Sequence, residues 1–168
     1  TFQAVRWLPD GQAWSLGLAP TTSSQYATGA NFDGTVIVGS YLGGRAFIWT
    51  EALGVLDLNT LLALSDADMG GWDLTIANAV SADGSTVVGR GRHTYGQGAT
   101  RTEAWRATIP MLIASKPESR VTCAGHDESL RVSAVGTAAP FVFHWRRSGV
   151  AISTTDPRFV VTTAPDGR

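Results

Sequence analysis

The side chains best able to do chemistry in this chain are carboxylates in glycine-rich settings. Asp66 and Asp68 stand in "SDADMGG", Ser65 to Gly71. This Asp-x-Asp-x-Gly order opens calcium loops of the EF type, where alternate carboxylates converge on one hard cation. The stretch then departs from that pattern: Gly70 takes the third acidic position, and Ala77 stands where the closing glutamate belongs. A solvated insertion loop is expected here, with Asp66 and Asp68 as weak calcium candidates. Asp33 and Asp83 each precede a glycine, Gly34 and Gly84. Asp-Gly favours tight hairpin turns, because glycine accepts positive φ and aspartate tolerates it. A turn role is expected for both aspartates, ahead of an acid or cation role.

The remaining chemical groups are sparse. His93, His126 and His144 are not spaced as a metal set, and neither His-Glu-x-x-His nor Cys-x-x-Cys occurs. No Gly-x-Ser-x-Gly elbow is present, and no histidine pairs arguably with the single Cys123. The stretch "GRGRHTYGQGATR", Gly89 to Arg101, is glycine-rich and basic. With Tyr95 it could touch an anionic sugar or lipid; a long hairpin loop tolerant of insertion is the plainer expectation. No catalytic constellation and no cofactor are expected.

The elements that position these groups are legible as a repeat. "GANFDGTVIVGS", Gly29 to Ser40, and "AVSADGSTVVGR", Ala79 to Arg90, share an Asp-Gly pair, a hydroxyl residue, a β-branched run and a glycine. The β-branched run wants a half-buried pleated surface. The glycine after it predicts a bulge or close backbone approach. Each copy therefore reads as strand, turn and return strand, with Val87 buried or half-buried. A second recurring element is "AVRWLPDG", "AFIWTEALG" and "EAWRAT", centred on Trp7, Trp49 and Trp105. Trp49 and Trp105 are expected to occupy equivalent, largely buried places. The unit is four short strands, most complete over Tyr26 to Asn59. Trp7 to Trp49 spans 42 positions and Trp49 to Trp105 spans 56, a difference assigned to the insertion Thr60 to Trp72. The start of the insertion, "LNTLLALS", can make one or two helical turns.

A four-stranded unit of about 40 residues has the period of a propeller blade, which needs neighbours to bury both its faces. The chain holds about two and a half such blades, too few to close a ring of about 4 to 8. Its 168 residues carry 13 Lys and Arg against 14 Asp and Glu, with no basic stripe, so nucleic acid is not an expected partner. No apolar run approaches the roughly 18 residues of a membrane helix, so no membrane insertion is expected.

At these residues the chain resembles the HAF-repeat family of bacterial extracellular proteins. "AVSADGSTVVGR" is similar to one half of the family's pattern and "GRAFIWTEALGVL" to the other, over about residues 1–108. The resemblance implies a secreted or cell-surface location and a repetitive β scaffold without a defined catalytic centre.

Composition shifts at "TIPMLIASKPES", and residues 109–117 read as a linker. Beyond it "SLRVSAVG" alternates, with Leu130, Val132 and Ala134 apolar. "FVFHWRRSGV" alternates too, with Phe141, Phe143 and Trp145 on one face, His144 outward, and a Ser148-Gly149 turn following. Residues 118–168 resemble the start of a bacterial immunoglobulin-like domain. The resemblance implies that Trp145 is the core tryptophan of strand C and Cys123 the first cysteine. Such a fold needs about 100 residues, so its last strands and the second cysteine are expected to lie outside this sequence. The expected architecture is all-β: a partial propeller-like repeat array, then an incomplete Ig-like sandwich. The expected function is a non-catalytic secreted or surface module for adhesion, display, or protein or glycan interaction. Its partners would be an unknown protein or glycan and the remaining blades and Ig strands of a longer chain. The alternative is an accessory region of a larger secreted, carbohydrate-active enzyme.

Overall fold

The computed structural model describes residues 2–17, 24–65, 67–109, 111–117, 121, 123, 128–136 and 143–152. In chain order its elements are β1 (Val5–Trp7), β2 (Ala13–Ser15), β3 (Gln25–Ala30), β4 (Val36–Tyr41), β5 (Arg45–Thr50) and β6 (Gly54–Asp57). Then follow α1 (Leu58–Leu64), β7 (Trp72–Val80), β8 (Thr86–Thr94), β9 (Thr100–Thr108), β10 (Leu112–Ser115), β11 (Ser133–Val135), β12 (Arg146–Arg147) and β13 (Val150–Ala151). The fold is all-β apart from α1. Its sheets are antiparallel and open: β1-β2, β3-β4-β5-β6, β7-β8-β9, β10-β11 and β12-β13.

Both Asp-Gly pairs lie in the loop of a hairpin, and the two loops are built alike. Asn31 and Ser81 donate their backbone N–H groups to the carbonyls of Val36 and Thr86, at 3.0 and 2.8 Å. Gly34 and Gly84 have φ of +69° and +75°, in the left-handed region that a side chain would strain. Asp33 Oδ1 accepts from the Thr35 amide, and Asp83 Oδ1 from the Ser85 amide. In each strand pair the ladder shifts register once near the loop, between Ala27 and Gly29 and between Ala77 and Ala79, and β7 shifts again between Leu74 and Ile76.

Alternation along the strands sorts side chains onto two faces of the β3–β6 sheet. Ile37, Tyr41, Phe47 and Trp49 pack with Ala4 and Leu16 from the β1–β2 end of the chain, and Val55 joins them. Val36, Val38, Ala46 and Ile48 on the other face form a core with Leu74, Ala77, Val87 and Trp105 of the β7–β9 sheet. Leu58 and Leu62 of α1 close that core. The helix starts where Asp57 accepts from the Thr60 amide at 2.9 Å, a side-chain cap for an otherwise unpaired N–H. The β3–β6 sheet thus lies between the β1–β2 hairpin and the β7–β9 sheet.

Three expectations change here. Trp105 is not the counterpart of Trp49. In β4–β5, Gly39 stands opposite Phe47 and Ile37 opposite Trp49. In β8–β9, Gly89 stands opposite Trp105 and Val87 opposite Ala107. Trp105 therefore takes the place of Phe47, and Ala107 that of Trp49. The spacing also divides differently. Asp33 to Asp83 is 50 positions, whereas Phe47 to Trp105 is 58. The insertion before β7 accounts for only part of the excess, and the longer β8–β9 hairpin supplies the rest. Finally, "GRGRHTYGQGATR" is mostly strand: Gly89 to Thr94 belong to β8, Thr100 and Arg101 to β9, and only residues 95–99 form the loop.

Residues 109–117, expected as a linker, carry buried Ile109, Leu112 and Ala114. β10 is tied to the β3–β6 sheet: the Thr50 hydroxyl donates to the Ile113 carbonyl at 2.8 Å, and the Ala52 amide donates to Ala114. β10 pairs with β11, on which Ala134 is buried. Further on, Ser148-Gly149 turns the β12–β13 hairpin, His144 is exposed, and Phe143 and Trp145 are half-buried. Phe141 and His126 lie outside the described residues, and Cys123 is an exposed free thiol.

Candidate functional site

The part of the β7–β9 sheet that outgrows the β3–β6 sheet gathers a cluster of chemically versatile side chains. The three strands here are nine residues each, against four to six in β3 to β6. The cross-strand register places Trp72 opposite His93, and His93 opposite Arg101. The Trp72 and His93 rings stack at 4.6 Å between centroids, 7° from parallel. The Tyr95 ring follows at 4.2 Å, and the Arg101 guanidinium lies 5.8 Å from the Tyr95 centroid.

Glu103 joins this column from β9. Its Oε2 is 3.2 Å from His93 Nδ1, and its Oε1 accepts from the Tyr95 hydroxyl at 2.6 Å. The Tyr95 hydrogen bond holds the Glu103 carboxyl below the usual range; partial desolvation opposes this, and His93 reinforces it. The same bond, donated from the Tyr95 side, raises the Tyr95 phenol. His93 Nε2 faces the Gly70 carbonyl at 3.1 Å, and Thr94 and Gly71 bond backbone to backbone. Both ring nitrogens of His93 and both oxygens of Glu103 are thus engaged within the protein. The cluster works as a clasp holding the insertion loop against β8.

The opposite face of the same strands is basic. Arg90, Arg92 and Arg106 alternate outward with Thr75 and Thr102. Arg92 pairs with Asp73 at 2.7 Å. A shallow cleft of about 370 Å³ runs between Arg90, Arg92, Thr75, Ile76 and Thr102 and the Gly43-Gly44 turn of the neighbouring sheet. Its lining suits a solvated anionic or hydroxylated group at the surface.

Asp68 Oδ1 accepts from the Gly70 amide at 2.9 Å, closing a local turn, and Asp66 lies outside the described residues. Among the described residues, no group of three or more His, Cys, Asp or Glu could hold a metal ion. Asp33 and Asp83 serve their own loops. Hydrogen bonds from Ser81 and Ser85 keep the Asp83 carboxyl below the usual range. Trp49 and Trp105 are both core residues, with the Arg6 guanidinium 5.0 Å from the Trp49 ring.

The polar cluster that sequence reasoning missed combines Trp72, His93, Tyr95 and Glu103. Only strand pairing brings Glu103 beside His93, since the two are ten positions apart. The alternation His93, Tyr95 and Arg101, Glu103 was its one sequence signal. No helix among the described residues is long and apolar enough to cross a membrane. No protein-family model, curated protein or solved structure matches the chain.

Proposed function

We propose that this chain is a non-catalytic interaction module, a segment of a stacked, propeller-like β-repeat array leading into an Ig-like segment, exposed at a cell surface or in the extracellular matrix. One observation carries the reading. Two successive sheets repeat the same pairing, Gly39 with Phe47 and Gly89 with Trp105, and pack in the same orientation. Such construction serves to extend a surface, and repeat arrays bind through extended surfaces. The polar side chains of the overgrown sheet favour the same reading, because the clasp residues satisfy one another. The groups left facing outward, Arg90, Arg106 and Thr102, are those the chain would offer a ligand, since the Thr75 hydroxyl donates to the Arg90 carbonyl at 3.0 Å. Acidic or neutral glycans are the partner class that a Thr- and Arg-lined open cleft fits.

The test is retention of the chain on immobilised neutral and acidic polysaccharides, with reducing ends counted in the same samples. Retention without release of sugar, weakened in Arg90→Ala, supports the proposal. Chain-dependent release of reducing ends, or identical retention of the wild type and Arg90→Ala on every polysaccharide, overturns it.

A further inference from the structure

Register relates the β1–β2 hairpin to β5–β6. Val5 pairs with Ser15 as Phe47 pairs with Asp57, and Trp7 pairs with Ala13 as Trp49 pairs with Val55. The offset is 42 positions throughout. Ala4 and Leu16 are buried, as are their counterparts Ala46 and Leu58. Each pair lies on the face turned toward the next sheet in the chain.

The opposite faces differ. Phe47 and Trp49 are 0% and 6% exposed, because the β1–β2 hairpin covers them. Val5 and Trp7, at the same positions one period earlier, are 47% and 72% exposed. The far end of the stack differs in chemistry. Val36, Val38, Ala46 and Ile48 form the buried onward face of the β3–β6 sheet. Their counterparts on the β7–β9 sheet are Thr86, Val88, Ala104 and Arg106, and Val88, Ala104 and Arg106 are exposed. An array must end in a unit with a polar outer face.

We infer that the stack has a direction: the β7–β9 sheet is its cap, and the Val5–Trp7 face is a docking surface for one further unit of the same 42-residue period. The occupant follows from continuity with the interface already present. What covers Phe47 and Trp49 is a hairpin presenting Ala4 and Leu16, so the equivalent Val5 and Trp7 fit an equivalent hairpin. The place of Ile48 is taken by Arg6 in the β1–β2 hairpin, where its guanidinium lies 5.0 Å from the Trp49 ring, so a second copy stacked head to tail would differ from the interior contact by Thr86 in the place of Val36. This inference rests on the stacked-repeat reading.

The experiment duplicates one period by placing residues 4–45 ahead of Ala4, so that Gly39 of the copy's β4 stands opposite Val5. A single thiol, Val5→Cys in the original period with Cys123→Ser, reports on the face. The added period should add antiparallel strand signal to the circular dichroism spectrum. Labelling of the thiol should slow about tenfold or more, as access only through local opening requires. Gly39→Val in the added copy alone should restore fast labelling. If strand signal is gained but labelling stays fast, the docking surface is refuted while the repeat reading survives. If no strand signal is gained, the 42-residue equivalence itself fails, and with it the inference. Protection that rises with concentration in the unextended chain assigns the face to a second copy and also overturns the proposal.

Discussion

The indole of Trp105 lies across Gly89, its directly opposed partner on the neighbouring strand, as the ring of Phe47 lies across Gly39. A β-carbon at Gly39 would stand 2.8 Å from the Phe47 ring and would collide with the Tyr26 carbonyl. A β-carbon at Gly89 would collide with the Trp105 ring and the Ile76 carbonyl. The glycine that ends each β-branched run is therefore a seat for an aromatic ring. Gly89→Ala is expected to destabilise by roughly 3 kcal/mol, the upper part of the range for overpacking a core. Trimming the ring with Trp105→Leu should recover only part of this loss, because the carbonyl remains. Urea melts of the two single variants and the double variant measure it. Full recovery in the double variant would show that the ring alone demands the glycine.

The two Asp-Gly loops share a backbone but not surroundings. Gly34 has open space at the β-carbon position, whereas a β-carbon on Gly84 would meet Val36 at 3.1 Å and Val135 at 3.2 Å. Gly34→Ala should cost only the left-handed backbone strain, about 1–2 kcal/mol. Gly84→Ala should cost that plus about 1–3 kcal/mol of overpacking. Equal midpoints for the two variants in thermal denaturation would mean that the Ser81–Ser85 loop is not packed as described.

Asp57 performs two jobs. It caps α1, and it receives Arg45 at 2.6 Å through Nε and 3.0 Å through a terminal nitrogen. Burial works against its ionisation, yet the hydrogen bonds from Arg45 and Thr60 outweigh burial and lower its pKa. Asp57→Ala should destabilise by about 1–2 kcal/mol, mostly through the lost cap, since Arg45 is half-exposed. Asp57→Asn should retain much of the cap but not the ion pair.

The pH dependence has two limbs. The carboxyls of Asp57 and Asp83 are lowered on folding, so their contribution is present above the ordinary carboxylate pKa of about 4. It is lost as pH falls through their folded values. Tyr41 behaves oppositely. Burial, followed by the nearby Asp57 charge, pushes its phenol up to about 12 from 10.0, and its hydroxyl has no partner among the described residues. A raised phenol contributes stability that is complete below pH 10 and is lost as pH rises through about 12. Ultraviolet titration should show one of the three tyrosines ionising last, and Tyr41→Phe should remove that step. Loss of the late step in Tyr26→Phe instead would misplace it.

How much of this was readable in advance depends on range. Local signals held their meaning: β-branched residues after Asp33-Gly34 and Asp83-Gly84 form strands, and the leucines after Asp57 form α1. Cross-strand identity was harder. "AFIWTEA" and "TEAWRAT" look alike around tryptophan, yet the ladder pairs each glycine with whichever aromatic residue faces it. Phe47, not Trp49, corresponds to Trp105, because position opposite Gly39 or Gly89 decides the match. The clasp of His93 with Glu103 was illegible for the same reason. Arg90 and Arg92 read as loop residues because glycine alternates with them; in the sheet, Gly89 and Gly91 leave room for the opposing strand while the arginines face out. The burial of Leu112 and Ala114 was hidden by the proline and serine around them.

The last expectation follows from the direction of the stack. Thr86 and Arg106 occupy the places of Val36 and Ile48, and they keep the outer face of the β7–β9 sheet polar. Thr86→Val with Arg106→Ile would give that face the aliphatic pattern that seats an aromatic neighbour in the interior of the molecule. The Val5–Trp7 face at the other end of a second molecule would then meet a complementary surface. This contact is heterologous, so it does not close after two copies and should yield open-ended chains of protomers. Sedimentation velocity should show a ladder of species that grows with concentration in the double variant and is much weaker in the wild type. Adding Trp7→Lys should abolish it by placing a charge in the contact. A double variant that sediments like the wild type at every concentration, with an unchanged circular dichroism spectrum, would mean that Thr86 and Arg106 do not act as a cap.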